Sequence, residues 1–196
     1  MKIHNMQQGS EEWFDIRKLK LTASNAQAIG NQGKGLETLC RQLVCDYLSK
    51  GKEVYTNENI ERGIELEEDA RIVYSLKTNN EVKQVGFIEI SDYCGCSPDG
   101  LIGDDGLLEI KCYSDKHYLD YILDDIIDSK YIWQMQMQMM ITCRDWCDFV
   151  VYNPNFENEI IIKRIEKDIK KQEDLIKGIR IGEKRIKEIL QCFKKI

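Results

Sequence analysis

The sequence predicts a mixed α/β fold. Three observations carry that prediction: an amphipathic helical pattern over residues 36–49, a change to short β-branched runs after Asn79-Asn80, and a charged helical tail from Glu166 to Phe193. With 196 residues, 42% hydrophobic and 32% charged, the chain is long enough to bury a core and ordinary in composition for a soluble globular protein. No repeat, linker or low-complexity run divides it, so a single domain over 1–196 is expected. Residues 1–80 would be mainly helical, 81–165 would form the sheet core and 166–196 a C-terminal helix.

Each element has a local reason. Ser10 is an N-cap residue followed by Glu11 and Glu12 in a first turn, which predicts a short helix to about Leu19. Thr22-Ala23-Ser24 offers a second cap before Asn25–Ile29, and Gly30 to Gly35 reads as a loop. Leu36, Leu39, Cys40, Leu43, Val44 and Tyr47 recur at i, i+3, i+4, i+7, and a further helix is expected from about Asn59 to Leu76. Val82 to Ile90 reads as one strand. Tyr93–Ser97 and Leu107–Cys112 read as two more, joined through the Gly103-Asp104-Asp105-Gly106 turn.

Tyr118–Ile127 reads as helix, and Cys147–Tyr152 with Glu159–Ile165 as strands around Pro154. Trp133-Gln-Met-Gln-Met-Gln-Met-Met140 alternates with period two, which alone would suggest a strand. It lacks β-branched residues, and Met and Gln are good helix formers, so a helix is predicted.

The net charge is −6 but unevenly spread: after Ile162 there are twelve Lys or Arg against six Asp or Glu. That asymmetry fits an acidic site with a basic patch elsewhere, or simply a solvated helix face. No apolar run approaches the roughly 18 residues a membrane span needs, and no signal-peptide core follows Met1, so no membrane association and a cytoplasmic location are expected. The eight cysteines are expected as reduced thiols, with Cys40 and Cys45 acting as small buried hydrophobes. Neither Cys94 with Cys96 nor Cys143 with Cys147 has zinc-knuckle or redox spacing, which favours plain packing over a four-cysteine cluster.

The chemistry concentrates between Cys96 and Cys112. Glu109 and Lys111 share one face of an extended segment while Leu108 and Ile110 take the other. That alone is compatible with an ordinary hairpin edge in water. Asp99, at a strand end ten residues earlier, would fold back beside Glu109. Two carboxylates and the carbonyl between Glu109 and Lys111 would form a hard oxygen site suited to Mg²⁺. A lysine on the same face could act on water or stabilise charge on a phosphate, which together specifies metal-assisted phosphodiester hydrolysis. An EF-hand loop fails on its ligand positions, no Walker or His-Glu-x-x-His motif occurs, and His4 and His117 are the only histidines.

The ordered motifs resemble those of the PD-(D/E)XK nucleases and, within them, the phage lambda exonuclease or YqaJ-like viral recombinase family. They are Gln8-Gly9-Ser10-Glu11-Glu12-Trp13 with Arg17, Thr22-Ala23-Ser24, Gly63-Ile-Glu-Leu-Glu67-Glu-Asp-Ala70, Ser97-Pro98-Asp99-Gly100, Glu109-Ile110-Lys111-Cys112, and Trp133-Gln134 with Gln136. Together they run from residue 8 to about 138; the tail beyond Ile165 matches no motif.

The resemblance implies a restriction-endonuclease-like core with a central mixed sheet flanked by helices. It implies a metal-dependent 5′→3′ exonuclease that digests one strand of duplex DNA from its ends, leaving 3′ overhangs for single-strand annealing. Asp99, Glu109, the Ile110 carbonyl and Glu67 would hold Mg²⁺, two ions by analogy, with Mn²⁺ as a substitute. Lys111 and Gln134 would complete the catalytic set. Arg17, Ser24 and Ser97 would hold a 5′-phosphate, with His117 at the position of a further basic residue. Ile60 would wedge the duplex end. A homotrimeric ring, a single-strand annealing partner and, for a phage-encoded chain, the host cytoplasm are implied as well. Two other readings are a Cas4 or RecB-like nuclease of different polarity or cofactor, and an inactive nuclease fold serving as a DNA-binding subunit. The Gln-x-x-x-Tyr helix of the former is absent, since Gln138 follows Gln134. Retention of Asp99, Glu109, Lys111 and Gln134 together counts against the latter.

Overall fold

The computed structural model describes residues 1–49 and 58–195, with side chains described for 1–49 and 66–195, and among these described residues lie nine strands and seven helices. The order is β1 (Lys2–His4), α1 (Glu11–Ile16), β2 (Leu21–Thr22), a 3-10 turn (Ala23–Asn25), α2 (Ala26–Asn31), α3 (Gly33–Leu48) and α4 (Glu58–Thr78). Strands β3 (Val82–Lys83), β4 (Phe87–Ser91), β5 (Cys94–Cys96), β6 (Gly100–Ile102) and β7 (Gly106–Cys112) follow. The chain ends with α5 (Asp115–Asp124), α6 (Ser129–Thr142), β8 (Trp146–Tyr152), β9 (Ile160–Glu166) and α7 (Ile169–Phe193).

The strands form two mixed sheets. One has the order β3-β6-β7-β8-β9, with β7 and β8 parallel and the remaining pairs antiparallel; the other has the order β1-β4-β5-β2. In the first sheet β7 is central, and alternation along it divides the core. Leu108 and Ile110 join Val150 and Tyr152 under Ala70 and Tyr74 of α4. Leu107 joins Phe149 and Val151 under Met135 and Met139 of α6. Both faces of the sheet are thus covered, as a parallel pair at its centre requires.

Helix α4 is tied down by a buried polar contact. Asp148, 3% exposed, accepts Tyr74 Oη at 2.6 Å and a bidentate pair from Arg164 at 2.8 and 2.9 Å. The Arg164 guanidinium in turn lies over the Trp146 ring, 3.6 Å from its centroid. Helix α7 crosses α2 closely because Gly178 has no Cβ: the space it would need is held by the Ile29 carbonyl oxygen.

Several boundaries differ from those expected. Gly30 to Gly35 is helical except for Gln32, whose φ of 57° is the whole break between α2 and α3. Gly30 is required by packing, because the Trp133 ring fills its Cβ position. The stretch Val82–Ile90 splits between the two sheets. Gly86 sits at the split, against the backbone of Met6. The turn at Gly103, φ 50°, does close a hairpin, but the partner of β7 is the short β6, while Cys94–Cys96 pairs in the other sheet. Cys40 is buried as expected, whereas Cys45 on the opposite side of α3 is exposed. Among the described residues no helix is long and apolar enough to cross a membrane.

Candidate active site

Strand β6 pairs with β7 only as far as Leu108, so beyond that point the β7 edge is met by Asp99 instead of by a strand. The Asp99 backbone N–H donates to the Leu108 carbonyl at 3.2 Å, and its Oδ2 accepts the Ile110 N–H at 2.6 Å. Pairing through a side chain at that point fixes the Asp99 carboxylate beside the strand. A strand residue's N–H and C=O leave on the same edge, so the Ile110 carbonyl faces that edge too.

Glu109 is 1% exposed, which removes the reading of this segment as a solvated hairpin face. A buried carboxylate needs donors, and Glu109 has three. Lys111 Nζ lies 2.5 Å and Gln134 Nε2 2.6 Å from Oε1, and Gln138 Nε2 lies 2.7 Å from Oε2. The two amides are one turn apart on α6, on the face turned to β7. Gln136 points away from that face, where its amide donates to the Glu166 carbonyl at 2.8 Å and accepts the Asp168 N–H at 2.7 Å. The period-two glutamines therefore have two different jobs, which a helix separates and a strand would not.

Glu67 approaches from α4, one turn before Arg71. Burial raises its pKa, the Lys111 and Arg71 cations lower it, and the Glu109 carboxylate raises it. Burial also pushes Asp99 well above the usual carboxylate range, with the Glu109 and Glu67 charges adding to the shift. Burial alone would depress Lys111, but Glu109 and Asp99 more than offset it and leave the amine more basic than an ordinary lysine. Its Nζ also lies 5.1 Å from the centroid of the Tyr131 ring, which carries Lys130 at 4.8 Å.

Three carboxylates facing Lys111 and Arg71 leave an excess of negative charge, a setting a hard cation relieves. Among the described residues, no three acidic, thiol or imidazole ligands are close enough to enclose an ion by themselves. The donor set is instead partial and made of oxygens: Asp99, Glu109 and the Ile110 carbonyl, with Glu67 nearby. That composition fits Mg²⁺, which keeps several waters and takes only one or two carboxylates.

A second cluster forms around Ser97. Its Oγ accepts Trp13 Nε1 at 2.9 Å and Arg17 at 3.4 Å. The Arg17 guanidinium stacks 3.9 Å from the Trp13 ring centroid, and burial lowers its pKa to about 10, still cationic at neutral pH. Trp13 Nε1 also donates to the Gly86 carbonyl at 3.1 Å, and Gln8 donates to the carbonyls of Val85 and Pro98, both at 3.0 Å. The N-terminal motif thus ties α1 to the loop that leads into Asp99. Two donors on Ser97 leave its hydroxyl proton free to donate outward.

Other expected residues stand apart. Ser24 is exposed, and its recorded partner is Thr22, at 3.0 Å between the hydroxyls. His117 is exposed in the first turn of α5, bonded to Ser114 at 2.9 Å and set edge-on to Tyr113. Neither makes a side-chain hydrogen bond to Arg17 or Ser97 among the described residues. Ile60 falls within α4, but its side chain lies outside the described residues. Two residues at the sites were not anticipated. Gln138 was signalled only by its helical spacing from Gln134, and Tyr131 by nothing local.

Residues 12–145 match the model of the YqaJ-like viral recombinase domain. The crystal structure of LHK-Exo in complex with dAMP is similar at a TM-score of 0.85, with 33% identity, covering 95% of this chain and 97% of that one. An alkaline exonuclease (LHK-Exo) from Laribacter hongkongensis is similar at 0.79, with 33% identity over 95% of this chain and 99% of that one. A phage-related exonuclease from Haemophilus somnus 129PT shares the fold, with a TM-score of 0.66 and 15% identity over 91% of this chain and 98% of that one. Uncharacterized protein R354 of Acanthamoeba polyphaga mimivirus is 27% identical over 164 residues, 76% of this chain, and the chain spans 30% of that relative's length. With the family model spanning well over half of the sequence and the motif residues gathered around Glu109, this chain belongs to the YqaJ-like viral recombinase family.

Proposed function

We propose that the protein is a Mg²⁺-dependent 5′→3′ exonuclease that shortens one strand of linear duplex DNA and leaves 3′ single-stranded overhangs for annealing. The observation that carries this reading is the convergence of Asp99, Glu109 and Lys111 at the open edge of β7, with Glu109 fixed by amides from α6. Mg²⁺ at Asp99, Glu109, the Ile110 carbonyl and Glu67 would lower the pKa of water and neutralise phosphate charge; two ions are expected, with Mn²⁺ as a substitute.

The residues divide the remaining work. Lys111, held cationic by its two carboxylate neighbours, is a donor and not a base: it orients water or meets the charge that grows on the phosphate oxygens. Gln134, on the same Glu109 oxygen as Lys111, keeps that oxygen aimed at the reaction side. Water attacks the phosphorus, and the bond to the 3′ oxygen of the terminal nucleotide breaks. A proton returns to that oxygen, and the shortened strand keeps a new 5′-phosphate. Arg17, flattened on Trp13, and Ser97 receive that phosphate, with Ser24 and His117 as outer contributors. The site thereby regenerates its own substrate group at each step. Ile60 would part the duplex end, and a homotrimeric ring and a single-strand annealing protein are the assembly and the partner this function calls for.

The test compares wild type with Lys111→Ala on linear duplexes bearing 5′-phosphate or 5′-hydroxyl ends, with Mg²⁺ or EDTA. Digestion should require the metal, the lysine and, for speed, the phosphate. Equal activity in EDTA, or in the variant, would overturn the mechanism.

A further inference from the structure

Gln138 lies between Met137 and Met139 on α6 and is fully buried. Its Nε2 donates to Glu109 Oε2 at 2.7 Å, while its own Oε1 is buried without a hydrogen-bond partner among the described residues. An unpaired buried carbonyl lowers stability, and an apolar side chain would fill the same space without that cost. Turning the amide over would bring its oxygen against a carboxylate oxygen, so the charge on Glu109 sets the orientation and the orphaned oxygen is its consequence. The other Glu109 oxygen already serves Lys111 and Gln134. The two oxygens are therefore not equivalent: one is held in the core by Gln138 alone, and the other faces Lys111 and Gln134.

We propose that Gln138 is a positioning residue for Glu109. It anchors Oε2 in the core so that the carboxylate presents Oε1 alone to a divalent cation. This rests on the reading of Asp99 and Glu109 as a metal site. Partners that orient a ligand without touching the metal typically change its affinity by about ten- to a hundredfold when removed. The anchor also leaves chemistry to other groups, so its loss should weaken metal binding more than turnover.

The full chain is titrated with Mn²⁺ by calorimetry as wild type and as Gln138→Met, which removes the donor and the orphaned oxygen together. The variant should bind Mn²⁺ about tenfold or more weakly, and its DNA digestion should recover to within a few-fold of wild type at saturating Mn²⁺. An affinity within twofold of wild type would overturn the role. If Gln138→Met does not fold, the double variant Gln138→Met with Glu109→Gln decides. Recovery of folding supports an anchor specific to the charge on Glu109, and failure of both marks Gln138 as a packing residue only. A wild type that binds Mn²⁺ in a Gln138-dependent way yet digests no DNA overturns the nuclease reading and leaves the anchor standing. A wild type that binds no Mn²⁺ overturns both.

Discussion

Lys111 Nζ lies 2.5 Å from Glu109 Oε1, two residues away on the same face of β7. The pair is nearly enclosed, with the lysine side chain 23% and the glutamate side chain 1% exposed. A cation this well neutralised keeps its proton throughout the ordinary working range. Lys111→Ala is therefore expected to lose about 10²–10³-fold in rate, the scale of removing one positioned electrostatic donor. Because its pKa is raised, the wild-type rate should show no fall from lysine deprotonation up to about pH 10. Single-turnover digestion from pH 7 to 10 measures both, and an alkaline fall that vanishes in Lys111→Arg would contradict the donor role.

Asp99 carries a stability prediction with a definite sign. Its folded pKa lies above the unfolded one, so the folded protein holds a proton that the unfolded chain has released. Stability from this group is fully present below about pH 4, the unfolded value, and is lost as pH rises through the folded value. Asp99→Asn removes the buried charge, and its side-chain oxygen can still accept the Ile110 N–H. In EDTA at pH 8 the variant should melt above wild type, and the two should converge near pH 4. Its activity should fall at least about 10²-fold. A variant that melts below wild type at pH 8 would show that Asp99 is not held against repulsion.

The Arg17 stack predicts a selective defect. Arg17→Lys keeps the charge but loses the planar fork and the contact with Trp13. The preference for 5′-phosphate over 5′-hydroxyl ends should drop by roughly tenfold or more, the worth of one hydrogen bond to a charged group. Digestion of 5′-hydroxyl ends should change little. Equal losses on both substrates would move Arg17 from recognition to folding.

Tyr74→Phe tests how α4 is held. It removes one of the donors to buried Asp148 while Arg164 still pairs with it, so a loss of about 1–3 kcal/mol is expected in urea unfolding. Tyr74 lies two turns after Glu67 on the same helix, and the variant should also raise the Mg²⁺ concentration needed for half-maximal digestion. A stability change below a few tenths of a kcal/mol would mean that the Arg164 pair alone satisfies Asp148.

Local chemistry made much of this legible in the sequence. The α3 stripe, the Ser10 cap and the helical reading of Trp133–Met140 follow from periodicity and propensity alone. What failed depended on distant partners. Gly30 looks like loop until the Trp133 ring is known to sit where its side chain would be, and Val82–Ile90 looks continuous until two sheets compete for it. Strand β6 was missed because Gly100–Ile102 is too short to show alternation. At the site, Asp99, Glu109 and Lys111 were visible as a pattern, but the burial of Glu109 was not, because a glutamate inside a sheet is tolerated only through donors supplied from another element.

Helix α6 works as a double-sided ruler. Gln134 and Gln138 reach β7 from one side while Gln136 secures the entry to α7 from another. One inserted residue within that stretch turns everything after it by about 100°, which would leave Glu109 short of an amide or release the start of α7. This segment should thus accept substitutions of similar shape yet reject any change in length, and the spacing of its three glutamines is what the helix must preserve.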